Sequence, residues 1–169
     1  MYYFDHSATT PIHPDVLKLI HKVQKDIYGN PSSIHKKGRE ARSIIEKSRY
    51  QIAKAIGTEP DKIIFTSGGT ESNNHVLWSR LGKNRNHIIS NKIEHPAITH
   101  VLKFLKNHNI NYSLIAVNKT GEISLSELKK NIKKSTGLIS IMLANNEIGT
   151  IQPIEEVVKI ANKNNILVH

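Results

Sequence analysis

Between the apolar run Ile63-Ile64-Phe65 and a helix-favouring stretch from Glu71 lies Thr66-Ser67-Gly68-Gly69-Thr70, a turn whose residue types suit an anion. Two glycines let the backbone curl, so that free N–H groups and the hydroxyls of Ser67 and Thr70 point one way. A helix N-terminus carries about +0.5 charge and four unpaired N–H donors, which favours a phosphate there. The spacing lacks the Gly-Lys pair of a P-loop and the G-x-G-x-x-G of a dinucleotide site. The chemistry expected is therefore that of a phosphate-bearing cofactor other than ATP or NAD. Two more polar pairs, Glu94-His95 and Asn145-Asn146, follow apolar runs in the same way. Other chemistries are excluded by composition. The chain has no cysteine, so these residues hold no disulfide, no thiolate metal site and no thiol nucleophile. The ten histidines include no H-E-x-x-H and no i, i+4 pair on a helix, so no metal is expected.

The elements that must position these groups alternate. Val16, Ile20, Val23 and Ile27 recur at helical spacing after Pro14-Asp15, and Gly29-Asn30-Pro31 stops that helix. A second helix carries Ala41, Ile44, Ile45, Ile52, Ala53 and Ile56 on one face and ends at Gly57. The predicted order continues with a strand over 63–66, a helix from Glu71 to Leu81, a strand over 88–90, and a helix opened by Pro96 bearing Ile98, Val101, Leu102 and Leu105. Tyr112 to Val117 reads as a strand, and Ser124-Leu125-Ser126-Glu127 as a capping box. Leu138 to Leu143 reads as a buried strand, Pro153 as a helix start, and Ile166-Leu167-Val168 as a last strand.

Such alternation predicts an α/β fold: a mainly parallel sheet covered by helices on both faces. Ligands of these sheets bind beyond the carboxyl ends of the strands. Ser67 to Thr70, Glu94-His95 and Asn145-Asn146 all fall at those ends. A strand reaching His169 with no helix after it leaves an apolar edge uncovered, so the domain is expected to be incomplete.

A chain of 169 residues, 38% hydrophobic and 22% charged, suits one soluble domain with a core. No targeting segment is visible and no apolar run is long enough for a membrane, which makes the cytoplasm the expected location. The net charge of +10 invites a nucleic-acid reading. Against it, pairs such as Lys36-Lys37, Lys129-Lys130 and Lys133-Lys134 are scattered, and aromatics at 5% are too few for a stacking platform. Nucleic acid is not expected as a direct partner.

Six segments together resemble the class V aminotransferase family of pyridoxal-phosphate enzymes, and within it the cysteine desulfurases of the nitrogen-fixation and iron–sulfur-assembly type. They are YFDHSATTP (3–11), YGNPSSIH (28–35), IIFTSGGTESNN (63–74), HIISNKIEHPAI (87–98), GEISLSEL (121–128) and LISIMLANNEIGTIQPI (138–154). SGGTES and ANNEIGTIQPI point to the branch with an exposed persulfide loop rather than the selenocysteine-lyase-like branch. The resemblance implies the pyridoxal-phosphate transferase fold of type I, truncated before the end of the large domain. Residues 1–13 would then belong to the small domain and 14–169 to an incomplete cofactor-binding domain. It also implies a homodimer, L-cysteine as substrate, and L-alanine as product. The sulfur would pass through an enzyme persulfide to an iron–sulfur scaffold or a tRNA-thiolation protein.

Carried over by residue, Gly69 and Thr70 would bind the cofactor phosphate. His95 would stack on the pyridine ring and move protons. Asn146 would hydrogen-bond the phenolic oxygen. Asn145 and Glu147 would shape their loop, Ser7 to Thr10 would line the entrance, and Ser32, Ser33 and His35 would form a structural turn. Three family residues have no counterpart: the aspartate facing the pyridine nitrogen, the Schiff-base lysine and the persulfide cysteine. Ser33-Ile34-His35-Lys36 mimics the lysine's motif but belongs to the GNPSS turn, so Lys36 is not taken as that lysine. The 169 residues alone are expected to be inactive. Another class V transaminase or lyase, or an inactive split partner protein, remains the alternative.

Overall fold

Three helices begin at a histidine whose Nδ1 accepts a backbone N–H of the first turn. His13 takes that of Asp15 at 3.3 Å, His35 that of Gly38 at 3.3 Å, and His95 that of Ala97 at 3.1 Å. Each cap satisfies a donor that a helix start leaves free, and it works only while Nδ1 is unprotonated. The computed structural model describes residues 2–169. They form two compact units, Met1–Phe65 and Thr66–His169.

The first unit holds α1 (Pro14–Asp26), α2 (Lys36–Ile56) and a 3-10 turn, Pro60–Lys62. α1 forms where its spacing predicts, but Val16, Leu17 and Ile20 on its stripe are exposed. α2 ends on Gly57, whose φ of 69° is the left-handed conformation of a helix stop. Its start lies so close to the turn before it that a Cβ on Gly38 would meet the carbonyl oxygens of Ser33 and Asn30. Of the face expected to be apolar, Ala41 and Ala53 are buried whereas Ile52 and Ile56 are exposed.

The strand predicted over 63–66 does not form. Ile63 is extended (φ −89°, ψ 125°), yet the segment pairs with no strand among the described residues. A strand persists through a neighbour's ladder. Here the Ile63 carbonyl accepts from the Arg49 guanidinium instead, which also lies 5.0 Å from the centroid of the Phe65 ring.

The second unit holds α3 (Gly69–Trp78), β1 (His87–Asn91), α4 (Pro96–Lys106), β2 (Asn111–Ile115), α5 (Leu125–Asn131), β3 (Thr136–Ile139), α6 (Ile154–Lys163) and β4 (Leu167–Val168). The four strands are all parallel, in the order β2-β1-β3-β4. Helices cover both faces, as expected. Ile88 and Leu138 point to one side, against Leu77 of α3 and Ile98, Leu102 and Leu105 of α4. Their neighbours Ile89 and Ile139 point to the other, against Leu128 of α5 and Val157 and Ala161 of α6. Each such buried Leu or Ile stabilises the unit by about 1.5–3 kcal/mol.

Three elements end at least two residues earlier than the sequence reading. α3 stops at Trp78 rather than Leu81. β2 stops at Ile115 because Val117 turns to bridge Ile123. β3 stops at Ile139, although backbone pairing continues from Ser140 N to Ile89 O (2.8 Å) and from Ile141 N to His169 O (2.9 Å). Beyond that, the backbone N–H of Met142 donates to a side chain instead. No helix among the described residues is long and apolar enough to cross a membrane.

Candidate active site

β1 ends at Asn91, and the loop to α4 is shaped by that side chain. Asn91 Oδ1 accepts the Ile93 N–H at 2.9 Å, and its Nδ2 donates to Glu94 Oε1 at 2.8 Å. Glu94 is buried, and the same Oε1 accepts the Met142 N–H at 2.7 Å. Burial pushes the Glu94 pKa up, against the pull of the Met142 N–H and the Asn91 amide. His95 follows as the N-cap of α4, its imidazole exposed. Because Nδ1 accepts from Ala97, a neutral His95 carries its proton on Nε2.

Past β3, the chain enters a loop that Asn145 holds. Its Oδ1 accepts the N–H groups of Glu147 (2.9 Å) and Ile148 (3.0 Å), and its Nδ2 donates to the Ile93 carbonyl at 2.9 Å. Asn145 therefore shapes the loop, as the sequence suggested. Asn146 is exposed, with Nδ2 donating to Glu147 Oε1 at 3.0 Å. Gln152, buried and not singled out from sequence, ties this loop to the 121–123 turn through Ile123 N (3.0 Å) and Gly121 O (2.7 Å).

At the start of α3, Gly68 is the N-cap and supplies no side-chain cap. The N–H groups of Gly69, Thr70 and Glu71 are first-turn donors without helical acceptors. A Cβ at Gly68 or Gly69 would meet nothing within 4 Å, so the approach to these donors is open. One expectation is corrected. Ser67 does not aim its donors with the others, because both its N–H (2.7 Å) and its hydroxyl (2.6 Å) go to Glu71 Oε2. An acceptor four residues on claims them first. The free donors, the Thr70 hydroxyl and the open approach fit a phosphate group.

A cleft of about 370 Å³ opens beyond the carboxyl ends of β1, β3 and β4, lined by residues that include Asn73, Glu94, His95, Ser140, Met142 and His169. In it Ser140 Oγ lies 3.0 Å from His169 Nδ1, and burial pushes the His169 pKa down. A second hollow of about 320 Å³ brings Thr70 together with His95. His95 thus borders both spaces. Gly69 and Asn146 line neither of them. Ser7 to Thr10 lie in the first unit, where the N–H groups of Ala8 and Thr9 bond to the Asp5 carbonyl. His35 caps α2 and is structural.

A parallel sheet with helices on both faces, an open cleft at its carboxyl edge and a free helix N-terminus beside it define an α/β protein of the pyridoxal-phosphate fold type I. The chain belongs to the class V aminotransferases, a family of pyridoxal-phosphate enzymes: the family profile "Aminotransferase class-V" matches residues 2–169. It is 46% identical over 170 residues to "Cysteine desulfurase IscS" of Dictyoglomus turgidum, covering 99% of this chain and 43% of that protein. Among solved structures, a "NIFS-LIKE PROTEIN" superposes with a TM-score of 0.93 at 40% identity, covering 99% of this chain and 47% of the other. Another, "SspA in complex with cysteine", superposes with a TM-score of 0.92 at 34% identity, covering 100% and 50%. The chain therefore spans less than half the length of the curated relative.

Proposed function

We propose that this chain is the N-terminal part of a pyridoxal-phosphate-dependent cysteine desulfurase, with residues 1–13 belonging to a small domain and 14–169 to an incomplete cofactor-binding domain. The observation that carries the reading is His95 standing between the cleft at the carboxyl edge and the hollow it shares with Thr70. The names of the relatives support the same activity.

When bound, the cofactor supplies a ring that accepts negative charge developing beside a substrate amino group. The chain's own residues bind and orient. The N–H groups of Gly69 and Thr70, with the Thr70 hydroxyl, would hold the phosphate at the positive end of α3. His95 would offer a ring face as a platform, and its Nε2, left free by the Nδ1 cap, would hold or move a proton. Asn146, whose amide donates to Glu147, would donate instead to the phenolic oxygen. The overall conversion is L-cysteine plus a protein thiol to L-alanine plus a protein persulfide. That thiol lies outside these residues, since the chain has no cysteine. The sulfur goes on to an iron–sulfur scaffold or a tRNA-thiolation protein, and the whole enzyme works as a cytoplasmic homodimer.

Equilibrium dialysis and visible absorption of the chain with pyridoxal phosphate test the reading. Weak, dialysable binding that competes with inorganic phosphate is expected. A pyridoxyl group that stays on the chain after borohydride and dialysis would place the cofactor-bonding lysine among these residues and overturn its assignment to the rest of the enzyme. Absence of any binding would remove the phosphate site at α3.

A further inference from the structure

Glu94 is buried at the edge of the cleft, and its carboxyl is taken up by partners within the protein. Its Oε1 receives two donors, the Asn91 amide at 2.8 Å and the Met142 N–H at 2.7 Å. The first belongs to the end of β1, in the same segment that leads to His95. The second belongs to the segment that leads from β3 to Asn145 and Asn146. Met142 N–H has no backbone partner: β3 has ended, the Ile141 N–H donates to the His169 carbonyl, and backbone pairing resumes at Leu143, whose carbonyl accepts from Gln152. A backbone donor beside a cleft could be left to water. Holding it with a buried carboxyl is the more demanding solution. The same two segments are also joined where Asn145 Nδ2 donates to the Ile93 carbonyl at 2.9 Å.

We propose that Glu94 is a positioning residue, whose carboxyl latches the His95 loop to the segment leading to Asn146 and so sets where the His95 ring stands at the cleft. The Ile93–Asn145 tie survives when Glu94 is removed, so the two segments stay joined and the variant is expected to fold. The value of the latch to function rests on the desulfurase reading; its existence does not.

Amide hydrogen exchange on the chain, followed by NMR in wild type, Glu94→Ala and Glu94→Gln, reads the latch directly. Exchange at Met142 is expected to speed up about tenfold in Glu94→Ala, the equivalent of one charge-assisted hydrogen bond. Exchange at Ala97 should speed up with it, because that N–H reports where His95 Nδ1 sits. Glu94→Gln, which keeps an acceptor oxygen, should restore both. Faster exchange at Met142 with Ala97 unchanged overturns the proposal, since Glu94 would then only satisfy a backbone donor. Met142→Pro, which deletes the donor and leaves Glu94, must also release Ala97, and decides the matter if Glu94→Ala does not fold. Dialysis with pyridoxal phosphate adds a functional readout: Glu94→Ala should weaken binding about tenfold, and no further in a His95→Ala background. Losses that add would make the two residues independent. If the wild-type chain binds no pyridoxal phosphate, the function reading fails while the exchange result still decides the latch.

Discussion

At the residue scale, the start of α3 is governed by competition for a few donors. Glu71 takes both donors of Ser67 and lies 3.5 Å from His75 Nε2. The Ser67 hydroxyl first, then its N–H, hold the Glu71 carboxyl below the usual carboxylate range. The depressed pKa means this interaction is present above the ordinary carboxylate range and lost as pH falls through the lowered value. Ser67→Ala should bring the Glu71 pKa back toward its ordinary value in an NMR titration of the carboxyl carbon; an unmoved value would assign the shift to other donors. In the proposed function Thr70 has the opposite role, its hydroxyl binding the phosphate. Thr70→Ala is expected to weaken phosphate or pyridoxal-phosphate binding by about 1 kcal/mol, the typical worth of one hydrogen bond, in the dialysis assay.

At the element scale, the carboxyl edge of the sheet is open and its amino edge is sewn shut. His87 opens β1 fully buried, with Nδ1 2.8 Å from Thr136 Oγ1 of β3 and Nε2 3.0 Å from Ser113 Oγ of β2. Burial, and then the charge of Lys133, push its pKa down to about 4 from 6.5. The unfolded chain therefore binds the proton more readily than the folded one. Stability is undiminished above pH 6.5, falls as pH drops toward about 4, and levels off below. The loss is on the order of 3 kcal/mol, and urea unfolding at a series of pH values should show it. His87→Phe should flatten that slope whatever it does to stability at neutral pH. In the first unit, the close approach at Gly38 predicts that Gly38→Ala destabilises by about 1–3 kcal/mol through overpacking, seen as a lower urea midpoint.

At the scale of the whole molecule, several large apolar side chains stand exposed. Ile64 is 72% exposed, Ile151 71% and Leu143 63%, besides the stripe along α1. Exposed apolar side chains of this kind favour association. Sedimentation should find species heavier than the 19.0 kDa chain as concentration rises, and a strictly monomeric chain would contradict this. Supplied with pyridoxal phosphate and L-cysteine, the chain is expected to release neither alanine nor sulfide. Turnover would mean that a residue other than a cysteine accepts the sulfur.

The order of strands and helices in the second unit was legible in the sequence, because buried parallel strands are continuous apolar runs and their helices carry apolar stripes. Pro96, Ser124 and Gly57 mark element ends through the backbone geometry each one imposes, and that geometry is local. The anion-suited turn at Gly68-Gly69 and the placing of His95 and Asn146 after strands were legible for the same reason. Pairing was not. Whether Ile63 to Thr66 becomes a strand depends on a neighbour supplied by distant chain, and its carbonyl went to Arg49. The partners of Ser67, the two donors on Glu94 and the role of Gln152 were also decided only in three dimensions. A hydrogen bond between residues 48 apart, such as Met142 to Glu94, leaves no periodic trace. Residue types and spacing determine which groups reach the carboxyl edge of the sheet; tertiary contacts decide which remain free to meet a ligand.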